Sequence, residues 1–316
     1  MANRLPRTVG GLARSGQRWF IDAGLTYGHG TTNARDEAIY LTLHALGLPL
    51  DVLPARQTVS AARAARVISL FKQRIARQVP AAYLTQEAWL GPYRFYIDER
   101  ALVPRSYIAE LLLQFPAFPW PESSSVGRAL DLCTGSGCLA ILLAKFFRHA
   151  HIDAADISGD ALDVAGINLR RHRLARRITL VQTDYFHDLN KRRYDLIVSN
   201  PPYVRADRMR ALPQEYRREP VLALAGGRDG LDAVRIILSQ AAAHLNPGGL
   251  LVVECGHARE RVERAWPRLP FLWPDTSGGD DCVFVLSRED LLRVGETGAK
   301  RGPRGARTGA TDLKPR

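Results

Sequence analysis

From Gly127 onward, short apolar runs alternate with helix-like stretches, and few folds accept that pattern. The runs are "RALDLC" (128–133), "HIDAAD" (151–156), "ITLVQT" (178–183), "YDLIVS" (194–199) and "LLVVE" (250–254), with "CVFVL" (282–286) last. Stretches such as "CLAILLAKFFRH" and "DALDVAGINLRRH" separate most of them. Strands apolar on both faces and joined by helices form a parallel sheet with helices on each side. The fold class is therefore α/β and Rossmann-like. In such sheets ligands sit outside the carboxyl ends of the strands, so the residues after each run carry the functional information.

The first run leads into Asp131-Leu132-Cys133-Thr134-Gly135-Ser136-Gly137-Cys138, where glycines let the backbone turn tightly and approach a ligand. The second ends in Asp156, a carboxylate placed to accept both hydroxyls of a ribose. The third ends in Thr183-Asp184-Tyr185-Phe186: Asp184 suits an adenine amine and Tyr185 offers a stacking face. The fourth ends in Asn200-Pro201-Pro202-Tyr203. The prolines have no N–H to give and fix φ, and the residue before a proline is held extended. Asn200 is thereby kept out of a helix, beside carbonyls that no neighbouring strand readily occupies. A glycine-rich turn with a downstream acid also fits a dinucleotide-binding domain. Here Ala140 takes the last glycine place, and the absence of a following Lys-Ser or Lys-Thr argues against a nucleoside triphosphate loop.

Residues 1–85 read helical, with Val67, Phe71, Ile75 and Val79 as an apolar stripe between Arg and Lys. Residues 86–103 read as a linking β-hairpin turning at Asp98-Glu99-Arg100. Pro104 is placed to start a helix through Ile108 and Leu112, and "FPAFPWPESSS" reads as a linker. Residues 104–292 are expected to form the catalytic domain. The stretch from Leu291 holds seven basic and two acidic residues, and 293–316 is expected to be a disordered basic tail. The net charge of +12 favours weak RNA contact through the basic surface and tail. An RNA-binding module without catalysis is the competing reading from another class. The four cysteines form no Cys-x-x-Cys pair, and no His has ligand spacing to them, so no metal is expected and reduced thiols in a cytoplasmic setting are. No membrane span or signal peptide is read. His29 is given a structural or docking role, Arg105 reads as a solvated or paired side chain, and Glu219-Pro220 as a segment ordering a lid.

Asn-Pro-Pro-Tyr after the fourth strand resembles the class I S-adenosylmethionine-dependent methyltransferases that act on planar nitrogens. These include HemK-type protein glutamine methyltransferases and adenine-amino DNA methyltransferases. "YGHGTTNARDEA" (27–38), "LPLD" (48–51), "AAYLT" (81–85), "FYIDERALVPRS" (95–106), "DLCTGSGC" (131–138) and "LPQEYRREPVLALAGGRDGL" (212–231) are similar to one branch of that family. That branch methylates a glutamine of the third large-subunit ribosomal protein. The resemblance runs from about Trp19 to Leu292. It implies a seven-stranded sheet and S-adenosyl-L-methionine held by Asp131, Thr134, Gly135, Ser136, Gly137, Asp156, Asp184, Tyr185 and Asn200. It implies catalysis by Asn200, Pro201, Pro202 and Tyr203, and a small N-terminal helical domain that selects the ribosomal protein, before or during ribosome assembly. Cys133 stands where many methyltransferases have glycine. The sister reading is a release-factor glutamine methyltransferase acting on a Gly-Gly-Gln loop. An adenine-amino DNA methyltransferase would usually carry a target-recognition domain within or after the core.

Overall fold

The computed structural model describes residues 6–114, 118 and 120–299, with four helices ahead of the first strand. These are α1 (Val9–Asp22), α2 (Ala34–Leu46), α3 (Ala61–Arg77) and the short α4 (Ala81–Thr85). Thr8, Asn33 and Ser60 start the first three, each side chain accepting a hydrogen bond from a first-turn amide. Phe20, Leu41, Val67 and Phe71 meet in a separate apolar cluster. The stripe read on α3 is buried at Val67 and Phe71, whereas Val79 lies past the helix end. Arg74 departs from the pattern by lying on the buried face. Its Nε donates to Glu37 at 2.8 Å, Nη1 to Glu215 at 3.2 Å and Nη2 to the Thr26 carbonyl at 3.0 Å.

The hairpin consists of β1 (Ala88–Leu90) and β2 (Tyr93–Phe95), and it turns at Gly91-Pro92. The turn expected at Asp98-Glu99-Arg100 does not reverse the strands. There the Arg100 side chain and the Tyr96 hydroxyl both donate to the Asp98 carboxylate, which settles that bend locally. Helix α5 (Tyr107–Leu113) starts from a Ser106 cap rather than from Pro104, because the Ser106 hydroxyl accepts the Ile108 amide at 3.1 Å. In the expected linker, Phe118 and Trp120 are buried in the main core, and Trp120 Nε1 donates to the Leu111 carbonyl at 3.1 Å. Residues 115–117 and 119 of that linker lie outside the described residues.

The sheet domain then runs β3 (Arg128–Leu132), α6 (Cys138–Phe146), β4 (His151–Asp156), α7 (Gly159–Arg171), β5 (Ile178–Gln182) and β6 (Tyr194–Ser199). It continues through α8 (Ala206–Ala211), α9 (Asp232–His244), β7 (Leu245–Glu254), α10 (Arg259–Ala265), β8 (Val283–Ser287) and α11 (Arg288–Ala299). The strand order is β5-β4-β3-β6-β7-β8, parallel except for the antiparallel β8. Residues of α5 and α6 bury one face, and residues of α9, α10 and α11 the other.

The sheet has six strands among the described residues, not the seven implied by the resemblance. The segment that would supply another is "PRLPFLWP" (267–274). Three prolines remove ladder donors there, and it contributes only the antiparallel bridge Leu272↔Val285. The expected tail is also corrected in part, since α11 continues to Ala299. The rest, 300–316, lies outside the described residues. No helix among the described residues is long and apolar enough to cross a membrane.

Arg74 is fully buried against two carboxylates. Arg74→Ala leaves both without their cation, and breaking a buried pair from one side costs about 3–5 kcal/mol. A clear fall in the urea midpoint is expected; an unchanged midpoint would mean that water or a neighbour replaces the guanidinium.

Candidate active site

The chain leaves β3 outward to β4 and β5, then returns to β6 on β3's other side, which makes the β3–β6 boundary a topological switch point. A cavity opens there. Of the residues singled out in the sequence, Thr134, Gly135, Ser136, Asp156, Asp184, Tyr185, Asn200 and Pro202 line it. Asp131, Gly137, Pro201 and Tyr203 do not.

Asp131 lies beneath the glycine loop and is fully buried. Its Oδ2 accepts the Thr134 hydroxyl at 2.5 Å and the Ala140 amide at 2.8 Å, so it holds the loop shut and ties it to α6. Burial pushes its carboxyl up to about 7, against those two donors. Cys133 takes a left-handed φ of 62°, a conformation that usually asks for glycine. Gly135 is also left-handed (φ 54°), and a Cβ there would meet nothing within 4 Å. The loop therefore presents bare backbone to open space.

Asp156 already accepts the Gly135 amide at 2.8 Å and the Ser158 amide at 3.0 Å, which fixes both oxygens at the strand end while each keeps a lone pair. Burial raises its pKa. Asp184 is exposed, and its carboxylate has no hydrogen-bond partner among the described residues. Tyr185 beside it is held at φ 48°, a strained setting for a non-glycine residue and one found at functional sites.

Around Asn200 the acceptors are free. Its Nδ2 donates to the Arg105 carbonyl at 3.2 Å, which leaves the carboxamide oxygen without a donor among the described residues. The carbonyls of Pro201 and Pro202 likewise take no hydrogen bond there. Tyr203 sits behind the loop and donates through its hydroxyl to Glu254 at 3.3 Å. Beyond it the chain is pinned to 224–226: Val204 N donates to Leu224 O, and Gly226 N donates back to Val204 O, both at 2.8 Å. Gly226 must be glycine for this, since a Cβ would lie 2.6 Å from the Tyr203 Cα.

Glu254 ends β7 and was not singled out in the sequence, although it stands at a strand end as the others do. Its Oε2 accepts the Ser106 hydroxyl at 2.7 Å and the Tyr107 amide at 2.9 Å, joining the α5 start to Tyr203. His29, Arg105 and Glu219 were read separately in the sequence. The structure brings them together beside the cavity, with both Arg105 Nη atoms on the Glu219 oxygens at 2.6 and 2.7 Å and His29 Nε2 3.4 Å away. Away from the cavity, donor atoms of His257, Asp281 and Cys282 lie within 4.8 Å of one another, a meeting that their spacing does not foretell. Burial, then Asp281, pushes the Cys282 thiol up to about 12.

The mostly parallel sheet, the glycine loop on a buried Asp and the acid-tipped neighbouring strands surround one cavity, and residues 110–214 match the methyltransferase small domain, which makes the class that of the methyltransferases. The chain is 53% identical to the ribosomal protein uL3 glutamine methyltransferase of Neisseria gonorrhoeae, over 90% of this chain and 96% of that one. It is 50% identical to the protein of that name in Bordetella pertussis, over 85% and 91%, and 47% identical to that of Bradyrhizobium diazoefficiens, over 86% and 88%. The chain belongs to the ribosomal protein uL3 glutamine methyltransferase family.

Asp156→Ala removes a paired acceptor and the anchor of Gly135. Calorimetry with S-adenosylhomocysteine should show an affinity loss of about 1–3 kcal/mol, roughly ten- to hundredfold. Undiminished binding would take Asp156 out of the site.

Glu254 gives a pH prediction. Burial pushes its carboxyl up to about 7, against donors from Ser106 and Tyr107. A group with a raised folded pKa favours folding most below its unfolded pKa, and that contribution is lost as pH rises through the folded value. Glu254→Gln should therefore gain stability over the parent above pH ~7 and match it near pH ~4.5. Melting curves that shift equally at both pH values would refute this.

Proposed function

We propose that this chain transfers a methyl group from S-adenosylmethionine to the side-chain amide nitrogen of a glutamine in ribosomal protein uL3, the third protein of the large subunit. The observation that carries the reading is the free acceptor set at Asn200 and Pro201, beside a cavity with two carboxylates at neighbouring strand ends. The uL3 substrate follows from the relatives' names and the extent of the match. A ribosomal substrate supports a cytoplasmic setting for the reaction. Contact with RNA through the basic surface stays a secondary proposal.

S-adenosylmethionine, when bound, supplies an electrophilic methyl on a sulfonium. Asp156 would accept its ribose hydroxyls, Asp184 the adenine amine, and Thr134 to Ser136 would line its amino-acid end. The open face of Gly135 and the spare lone pairs of Asp156 fit such a guest.

A glutamine amide is a weak nucleophile because its nitrogen lone pair is delocalised into the carbonyl. The Asn200 oxygen on the cavity wall accepts one of its hydrogens and the unbonded Pro201 carbonyl, between the lining residues Asn200 and Pro202, the other once the glutamine is seated; together they fix the amide plane and draw electron density onto nitrogen. No strong base is needed. Such positioning can supply on the order of 7–11 kcal/mol of a barrier. Pro202 walls the cavity, and Tyr203, anchored on Glu254, keeps the loop from shifting. The N-terminal helices choose the protein substrate.

Asn200→Ala should fold and bind cofactor, because the glycine loop and Asp156 are independent of it. Single-turnover transfer at saturating cofactor should fall about a hundredfold or more. Asn200→Asp should also be poor, since its carboxylate faces the Arg105 carbonyl where an amine donated before. Near-normal transfer by Asn200→Ala, read by mass spectrometry of uL3, would overturn the clamp.

A further inference from the structure

Asn200 can orient an amide only if Asn200 is itself oriented, and its one side-chain hydrogen bond among the described residues is to the carbonyl of Arg105. We propose that Arg105 and Glu219 are positioning residues for the transfer: the ion pair of half-buried Arg105 with fully buried Glu219 fixes the backbone on which the Asn200 amine is seated. This rests on the function proposed above and adds the device that sets the clamp.

Glu219 reaches the cavity edge from the loop that follows α8, and its side chain is fully buried. Arg105 grips it with two parallel bonds, Nη1 to Oε1 at 2.6 Å and Nη2 to Oε2 at 2.7 Å. The Val103 amide donates to the same Oε1 at 3.2 Å. One carboxylate therefore fastens residues 103 and 105 together, in the segment that walls the cavity ahead of α5. On the far side, His29 Nε2 lies 3.4 Å from Oε2, and its ring packs on Tyr216 with centroids 4.2 Å apart. Tyr216 in turn lies 5.6 Å from the Arg105 guanidinium carbon. The brace thus reaches from the N-terminal layer to the clamp.

Stability alone does not account for such a pair. Apolar side chains of like volume often replace a buried ion pair with no loss. What the pair adds is direction: a bidentate fork allows a guanidinium one plane, and lysine cannot reproduce it. The charge is also constant, since burial raises the Glu219 carboxyl but Arg105 and then His29 outweigh it and hold it at about 2. A displacement of about 1 Å at a positioned group can cost a hundredfold in rate, so a reacting loop gains from a rigid seat.

The test compares Arg105→Lys with the apolar pair Arg105→Met/Glu219→Leu. Three readouts are taken: single-turnover transfer to uL3 at saturating S-adenosylmethionine, calorimetric affinity for S-adenosylhomocysteine, and the Asn200 side-chain amide signals in proton–nitrogen correlation spectra. Those signals are assigned by their absence in Asn200→Ala. Both variants should keep cofactor affinity close to the parent, lose transfer about a hundredfold, and show the Asn200 amide broadened or shifted toward free water. The apolar pair should do so while melting at or above the parent temperature, an outcome that a purely structural role does not allow. Parent-like transfer with unchanged Asn200 signals in the apolar pair would overturn the brace. If the apolar pair does not fold, Arg105→Lys decides by the same two readouts. A parent protein that binds S-adenosylhomocysteine but leaves uL3 unmarked would overturn the substrate reading alone, and the amide signals would still decide the brace.

Discussion

The reversal of winding beside β3 is the constraint from which the rest of the site follows. Parallel strands need long, right-handed crossovers, so the loops after β3, β4, β5 and β6 all emerge on one side of the sheet. Where the chain changes direction, no crossover covers the strand ends, and a cavity is left. Asp131 turns that opening into a site. Its buried carboxylate holds the glycine loop against α6 while Asp156 takes the same loop by the Gly135 amide. Two acids on adjacent strands thus fix one short turn, and the cost of burying them shows in their raised pKa values.

Much of this was legible in the residues because its signals are local. Six apolar runs gave six strands, and polar residues at their ends lay where ligands bind in such sheets. The seventh strand came from resemblance alone and failed where prolines at 267, 270 and 274 strip the segment of donors. Asp98-Glu99-Arg100 has turn chemistry but spends it on its own side chains, while Gly91-Pro92 makes the reversal. Arg74 was hidden by its charge, which pattern reading assigns to the wet face of a helix.

What was not legible is long-range pairing. Arg105 and Glu219 lie 114 residues apart, and Thr26 and Glu215 lie 189 apart. No periodicity encodes such partners. Glu215 also takes the Thr26 amide at 2.8 Å and Arg74 at 3.2 Å, so the loop beyond Asn200 is held by the N-terminal helices through buried charge. Those helices are built into the catalytic face. An exchange of them between related enzymes needs residues 212–220 to travel with them.

The proline-rich segment that replaces the seventh strand has a consequence for the molecule's behaviour in a crowded solution. An antiparallel end strand with an open hydrogen-bonding edge is a template for strand addition by another chain. On the outer edge of β8, Val285 exchanges both backbone bonds with Leu272, and the Ser287 amide donates to Asp290 at 3.0 Å. The covering segment has prolines on either side of Leu272 and offers little ladder of its own. The β8 edge therefore ends in a cap that offers little template for a further strand, and the segment that shortens the sheet also blunts that edge.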